Sequence, residues 1–473
     1  MRKIKFGTDG WRSVMAEDFT FENVKLVVQA IASYLQDHPL KDNGIVIGYD
    51  NRFLSEHFAA EAAKVLAGND IKAYIVDRAT PTPVTAYAIT THNAAGAIMI
   101  TASHNPPEYN GIKFIPEYAG PALPDITDKI EIELARVIQE GLVYEMSLKT
   151  AQDEGLYQEF DPMPDYIKHI TQLVNLDAIC KANLRLVIDP MFGAGIDYLD
   201  QVFAEAGCSV ISINNYRDPL FGGSLPEPSA KVLTKLKARV LSEGADLGLA
   251  LDGDADRFGI IDSNGEYIIP NKVLYMLYYH LLNVRKCRGP VARSVATTHM
   301  LDRMAEKFGY QAEETPVGFK YIGEAMRTRG SVIGGEESGG LSILGHIPEK
   351  DGILAALLMA EIRAIHGKTL TGVIKQITDE FGYVTSERLD VHVEAKEKDR
   401  IMKELQDFKP SSFNGQEVVQ LINVDGTKIV MADGSWTLIR PSGTEPLFRI
   451  YVETNSDEQM KKIQQEVRDT FAM

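Results

Sequence analysis

A strand–helix–strand unit recurs three times in this chain, and the recurrence limits its possible folds more than any other feature. Residues 45–49 (Ile-Val-Ile-Gly-Tyr) read as a buried strand, 54–67 as an amphipathic helix and 71–76 as a second strand. The same order returns at 184–188, 195–206 and 209–213, and more weakly at 291–296, 299–308 and 311–314. Short β-rich runs alternating with helices predict parallel strands joined by right-handed crossovers. Units more than a hundred residues apart cannot stack as a short-period solenoid, so they predict three related α/β domains.

The last ninety or so residues break the pattern. Strands are expected near 383–393, 416–424, 427–431 and 447–453, with turns at Asp425-Gly426 and Asp433-Gly434 and a helix near 396–407. Ser456, with Gln459 three residues on, predicts a capping box at the start of a terminal helix. The fold class expected is therefore three α/β domains with mixed or parallel sheets plus a smaller C-terminal α+β domain. The expected divisions are 1–152, 153–266, 267–380 and 381–473, since 473 residues exceed one ordinary core.

Charge and apolar patterning remove several function classes. A net charge of −17 argues against nucleic acid, which needs a basic surface, but leaves room for a small anion held by local Arg and Lys. The basic N-terminus lacks the apolar run of a secretory signal, and Ile353–Ile365 is interrupted by Glu361, as in a buried helix rather than a membrane span. Cys180, Cys208 and Cys287 have neither metal nor redox spacing, so buried thiols in a cytoplasmic protein are expected.

Four loops carry candidate chemistry. Thr101-Ala-Ser-His-Asn-Pro-Pro-Glu-Tyr-Asn-Gly-Ile-Lys113 follows the apolar run Ala97–Ile100, so Ser103 sits just past the carboxyl end of a strand with its hydroxyl expected to point outward. No Gly-x-Ser-x-Gly elbow surrounds it, and adjacent Ser103 and His104 are not expected to align as nucleophile and base. Asp252-Gly-Asp-Ala-Asp-Arg257 places three carboxylates at alternate positions, able to converge on one hard divalent cation with room left for phosphate oxygen. It is no EF-hand, because Arg257 and Ser263 stand where Gly and Glu are required. Gly334-Gly-Glu-Glu-Ser-Gly-Gly340 is either a reader of vicinal hydroxyls or a flexible turn. Arg440-Pro-Ser-Gly-Thr-Glu-Pro446, with Arg449 behind it, is either a phosphate cradle or an ordinary turn. The four loops fall in four successive predicted domains, so a shared central cleft would bring them to one ligand.

Together with Phe6-Gly-Thr-Asp-Gly-Trp-Arg12, Gly335-Glu-Glu-Ser-Gly339 and Arg440-Pro-Ser-Gly-Thr444, these motifs resemble the α-D-phosphohexomutases in order, from residue 6 to 449. The resemblance implies four domains around a central cleft, a phosphoserine at Ser103, and Mg²⁺ held by Asp252, Asp254, Asp256 and a phosphoserine oxygen. It implies a proton carrier at Lys113 and basic residues Arg12, His104 and Arg257 near the moving phosphate. Substrate contacts would fall on Thr315, Gly318, Lys320, Glu336, Ser338 and Lys350, and the phosphate clamp on Arg440, Ser442, Gly443, Thr444 and Arg449. The implied reaction interconverts hexose 1-phosphate and hexose 6-phosphate through a 1,6-bisphosphate, with glucose 1,6-bisphosphate as activator. Glu336-Glu337-Ser338 and Gly340 resemble the glucose-preferring members more than the dual glucose/mannose type, and glucosamine ranks last. Expected partners are hexose phosphates, without nucleic acid or membrane, for a monomer or homodimer. A haloacid-dehalogenase-type phosphatase using Asp252 would leave Ser103 unexplained, and a silent sugar-phosphate sensor would have no need of these reactive residues.

Overall fold

The structure, a computed structural model, describes residues 4–5, 10–442 and 446–473. Each sequence repeat forms the parallel centre of a mixed sheet. In the first, strand Ile45–Tyr49 runs parallel to Ala73–Val76 and to Gly96–Ile100. Tyr109–Pro116 then folds back antiparallel on Gly96–Ile100, with Trp11–Val14 at one edge and Tyr157–Phe160 at the other. Ile45 and Ile47 pack with helices Phe21–Leu35 and Ser55–Gly68, while Val46 meets helix Thr82–His92 on the opposite face. Burial on both faces is why the strand reads as an unbroken apolar run.

The next two sheets repeat this plan. Arg185–Asp189 pairs parallel with Ser209–Ser212 and Leu247–Leu251, and Phe258–Asp262 returns antiparallel. Val291–Ser294 pairs parallel with Ala312–Thr315 and Ile333–Gly335, and Leu341–Ile343 returns antiparallel. The Ser103, Asp252 and Glu336 loops are therefore the same hairpin in three sheets, at the carboxyl end of the strand beside the repeat.

The C-terminal sheet is wholly antiparallel, in the order Thr385–His392, Leu447–Thr454, Trp436–Pro441, Thr427–Met431, Gln416–Ile422, Ser412–Phe413. Strand Trp436–Pro441 was not anticipated; it absorbs Arg440, which the sequence suggests as a loop residue. Ser456 caps the terminal helix by accepting the Gln459 N–H, but the Gln459 side chain turns to Thr454 and Asp433, so only half of the expected box forms.

Helix Gly352–His366 is the apolar segment with an interrupting charge, and it is buried between the second and third units. Glu361 is satisfied there by His280, Arg285 and the Asn175 N–H. Among the described residues no helix is long and apolar enough to cross a membrane. The cysteines differ from expectation: all three are free, but Cys180 is exposed, and Cys208 and Cys287 are only half-buried because they lie at the rim of the core.

Candidate active site

The Ser103 and Asp252 loops meet face to face. Ser103 has φ +50°, a left-handed conformation that costs a non-glycine residue about 1–2 kcal/mol. Its N–H donates to Thr101 Oγ1 at 2.9 Å. The hydroxyl does not point outward: Ser103 is 1% exposed, and Oγ lies 3.1 Å from Asp252 Oδ2. Gly253 makes this approach possible, since a Cβ there would stand 2.6 Å from the Ser103 carbonyl oxygen. Contrary to expectation, neighbouring His104 does reach the hydroxyl, with Nδ1 at 3.2 Å.

Asp252, Asp254 and Asp256 are buried, each with an oxygen within 4.8 Å of those of the others. Lys113 Nζ lies 3.0 Å from Asp254 Oδ2 and 3.3 Å from Asp256 Oδ2, and Lys350 Nζ lies 3.2 Å from the same Asp256 oxygen. Thr82 Oγ1 donates to Asp254 at 2.7 Å. Burial and then the two neighbouring carboxylates push the Asp252 carboxyl well up. For Asp256 burial acts upward too, but Lys350, Lys113 and Arg257 outweigh it and hold the carboxyl well below its usual range. Among the described residues, Asp254 Oδ1 and Asp256 Oδ1 are buried without a hydrogen-bond partner. Converging carboxylates with orphaned acceptor oxygens fit a hard divalent cation.

Cationic groups line the Ser103 side of this junction. The Arg257 guanidinium Nε lies 3.9 Å from Asp256 Oδ1 while its backbone N–H donates to Asp252 Oδ1 at 3.1 Å, and Arg12 Nη1 donates to Asn105 Oδ1 at 2.9 Å. Arg257, then burial and Arg12, push the His104 imidazole well below its ordinary value, so it is neutral at pH 7.

The third loop closes on a different partner. Buried Glu336 accepts the Gly318 N–H at 2.8 Å, and burial, then Glu337, pushes its carboxyl up to about 7. Thr315 bonds back to the carbonyls of Arg293 and Pro316, Lys320 lies over the Tyr321 ring, and Ser338 is half-buried. Lys350 joins this loop to the carboxylates, because its chain passes Gly340, where a Cβ would stand 2.4 Å from Lys350 Cδ.

The fourth site stays on its own sheet. Arg440 and Arg449 are directly opposite across neighbouring strands, a like-charge pairing that an anion would relieve. Arg440 Nε lies 2.9 Å from Asp425 Oδ1, and Asp425 Oδ2 accepts the Val317 N–H of the third unit at 3.2 Å. Ser442 is buried, its N–H donating to Leu447 O. Gly443 and Thr444, and residues 6–9 of the first motif, lie outside the described residues.

The structure thus gathers Ser103, His104, Lys113, Asp252, Asp254, Asp256, Arg257 and Lys350 at one junction, with Arg12 alongside on Asn105. Sequence reasoning missed Asp50, Arg52, Thr82, Thr101 and Asp425. Asp50-Asn51-Arg52 could have been noticed as charged residues at the end of a buried strand, and Asp425 reads only as a turn residue.

Four family models match the chain in order. The phosphoglucomutase/phosphomannomutase α/β/α domains I, II and III match residues 3–140, 164–265 and 269–381, and the C-terminal domain of the same group matches 389–470. A phosphoglucomutase/phosphomannomutase of Thermococcus kodakarensis is 31% identical over 97% of this chain and 96% of its own. A candidate phosphoglucosamine mutase of Methanothermobacter thermautotrophicus is 32% identical over 98% of this chain and 96% of its own. The crystal structure of a candidate phosphomannomutase from Thermus thermophilus superposes with a TM-score of 0.85 at 32% identity, covering 99% of each chain.

Proposed function

This chain belongs to the phosphoglucomutase/phosphomannomutase family, and on that premise we propose that it interconverts glucose 1-phosphate and glucose 6-phosphate through a phosphorylated Ser103. It is an intramolecular phosphotransferase, and the observation that carries the residue assignment is the Ser103 hydroxyl, buried 3.1 Å from the carboxylate loop. In the forward step the bond between phosphorus and Ser103 Oγ breaks while the free sugar hydroxyl oxygen bonds to phosphorus. The Lys113 ammonium gives a proton to Ser103 Oγ as that bond breaks and, as the amine, takes the sugar hydroxyl proton in return, so protons and charge are conserved. The resulting glucose 1,6-bisphosphate turns end for end, and its other phosphate goes back to Ser103. Phosphoryl transfer asks mainly for alignment and charge neutralisation. Arg257 and Arg12 supply fixed positive charge, neutral His104 can donate or accept a hydrogen bond at Oγ, and Glu336 and Ser338 read sugar hydroxyls. Arg440 and Arg449, with Ser442, Gly443 and Thr444, anchor the phosphate that is not reacting. Thr315, Gly318, Lys320 and Lys350 complete the wall of the sugar site.

Asp252, Asp254 and Asp256 would hold Mg²⁺, which when bound supplies positive charge to the phosphoryl oxygens. Free glucose 1,6-bisphosphate acts as activator by recharging enzyme that has lost its phosphate. Glucose is proposed over mannose because Glu336-Glu337-Ser338 and Gly340 resemble the glucose-preferring members of the family. Relatives carry both glucose and glucosamine names, so the deciding experiment is a coupled assay on glucose, mannose and glucosamine 1-phosphates in parallel, with peptide mapping of Ser103. Turnover of glucosamine 1-phosphate above glucose 1-phosphate would replace the substrate assignment; full activity in Ser103→Ala would remove the carrier.

A further inference from the structure

Arg52 is a fully buried cation remote in sequence from all four motifs, yet its guanidinium touches four backbone carbonyls of one loop. Nη2 donates to the Ser103 and Asn105 oxygens, each at 2.7 Å, and Nη1 donates to Pro106 O at 2.7 Å and Tyr109 O at 3.0 Å. Nε lies 3.2 Å from Asp50 Oδ2. Asp50 in turn accepts Thr101 Oγ1 at 2.6 Å, Ser55 Oγ at 2.9 Å and the Arg52 N–H at 3.0 Å. The guanidinium lies 5.0 Å from the Phe221 ring of the second unit. The intervening Asn51 donates to the Phe192 and Gly193 carbonyls at 3.1 and 2.8 Å. Gly193 packs under the metal-binding loop, where a Cβ would stand 2.7 Å from Gly253 O, and the next N–H, of Ala194, bonds to that same oxygen.

We propose that Arg52 is the positioning residue that aligns the Ser103 loop with the Asp252 loop, an assignment that rests on Ser103 being the phosphate carrier. The physical case has three parts. Buried carbonyls need donors, and one planar fork satisfies four of them at once, which a lysine ammonium cannot do with the same geometry. The bond to the Ser103 carbonyl holds a residue whose left-handed backbone is intrinsically unfavourable. Finally, Asp50-Asn51-Arg52 grips the carrier loop from one residue and the support of the metal loop from the next, so the distance between the two loops is set by a rigid tripeptide at a strand end. A displacement of about 1 Å in such a contact costs roughly a hundredfold in rate.

The test compares wild type, Arg52→Lys and Arg52→Met after charging with radiolabelled glucose 1,6-bisphosphate, with turnover expressed per labelled Ser103. That normalisation removes protein that has merely unfolded. Arg52→Lys keeps the charge opposite Asp50 and should fold; its turnover per labelled Ser103 should fall at least tenfold, with KM for glucose 1-phosphate within threefold. Arg52→Met should fall about a hundredfold. In both, phosphate lost to water per isomerisation should rise, because a loosened loop admits water in line. Wild-type turnover per labelled Ser103 in Arg52→Lys, or a raised KM at full turnover, would overturn the assignment whether or not Arg52→Met folds. A wild-type enzyme with no label on Ser103 would instead remove the carrier reading beneath it.

Discussion

At the Asp252–Asp256 loop, three carboxylates and the ammoniums of Lys113 and Lys350 are shut away from water where three units of the chain touch. On the C-terminal sheet, Arg440 and Arg449 face each other across a strand pair, partly exposed and leaning on Asp425 and Asp390. The first region is buried and sets three carboxylates against two ammoniums; the second is partly exposed and sets two arginines side by side, each with an acidic neighbour. Under the proposed reaction, the first performs bond making, and the second holds a dianion loosely enough to let either end of a bisphosphate take its place. Removing a side chain at the junction should therefore damage turnover, and removing one from the arginine pair should damage affinity.

Asp254→Asn attacks the buried side hardest. Losing one charged oxygen ligand should cost about 4 kcal/mol of transition-state stabilisation, roughly a thousandfold in turnover. Calorimetric titration should show weakened Mg²⁺ binding alongside, and unchanged turnover would break the comparison outright. Lys113→Met comes next. Turnover should fall by about 10²-fold with KM little changed, as for a group that works in the transition state. A raised KM at full turnover would move Lys113 to the affinity side. Arg440→Ala should do the reverse. A charge-assisted hydrogen bond contributes about 1.5–3 kcal/mol, so KM should rise by roughly 10–100-fold while Ser103 still takes up label from glucose 1,6-bisphosphate. The smallest effect belongs to Glu336, which stands between the two regions. Its carboxyl titrates at about 7 in the fold against an ordinary value of 4.5. Between those values the folded chain holds a proton that the unfolded chain has released, so stability should decline as pH rises through this window and level off above it. Glu336→Gln should flatten that decline by on the order of 2 kcal/mol, read from urea midpoints at about pH 5 and 7.5.

The two regions also differed in how far the sequence disclosed them. Parallel strands buried on both faces leave unbroken apolar runs, so Ile45–Tyr49 and Leu247–Leu251 were legible, and with them the loops at their carboxyl ends. The Asp252–Asp256 spacing was legible because carboxylates packed so densely have few other uses. Strand Trp436–Pro441 was not, since Pro441 and the glycine after Ser442 read as a turn and nothing local reveals that Arg440 faces Arg449. The burial of Ser103 was also hidden, because it comes from Gly253, which lies 150 residues further along the chain. Arg52 was invisible for a similar reason. A charged residue between Asn51 and Phe53 looks like surface until the carbonyls that surround it are known.

The bonds from Lys113 to Asp254 and Asp256 span 141 and 143 residues, which bears on how the protein is made. At about 5–20 residues per second, the ribosome adds the carboxylates roughly 7–30 s after the lysine. During that interval the first sheet can form, but the Lys113 ammonium stays hydrated and the Ser103 loop has no Asp252 to face. Lys350 arrives later still. The proposed phosphate carrier is thus synthesised early in the chain, while the residues that pack around it come later, so an unfinished chain carries Ser103 without the carboxylate it faces in the finished fold.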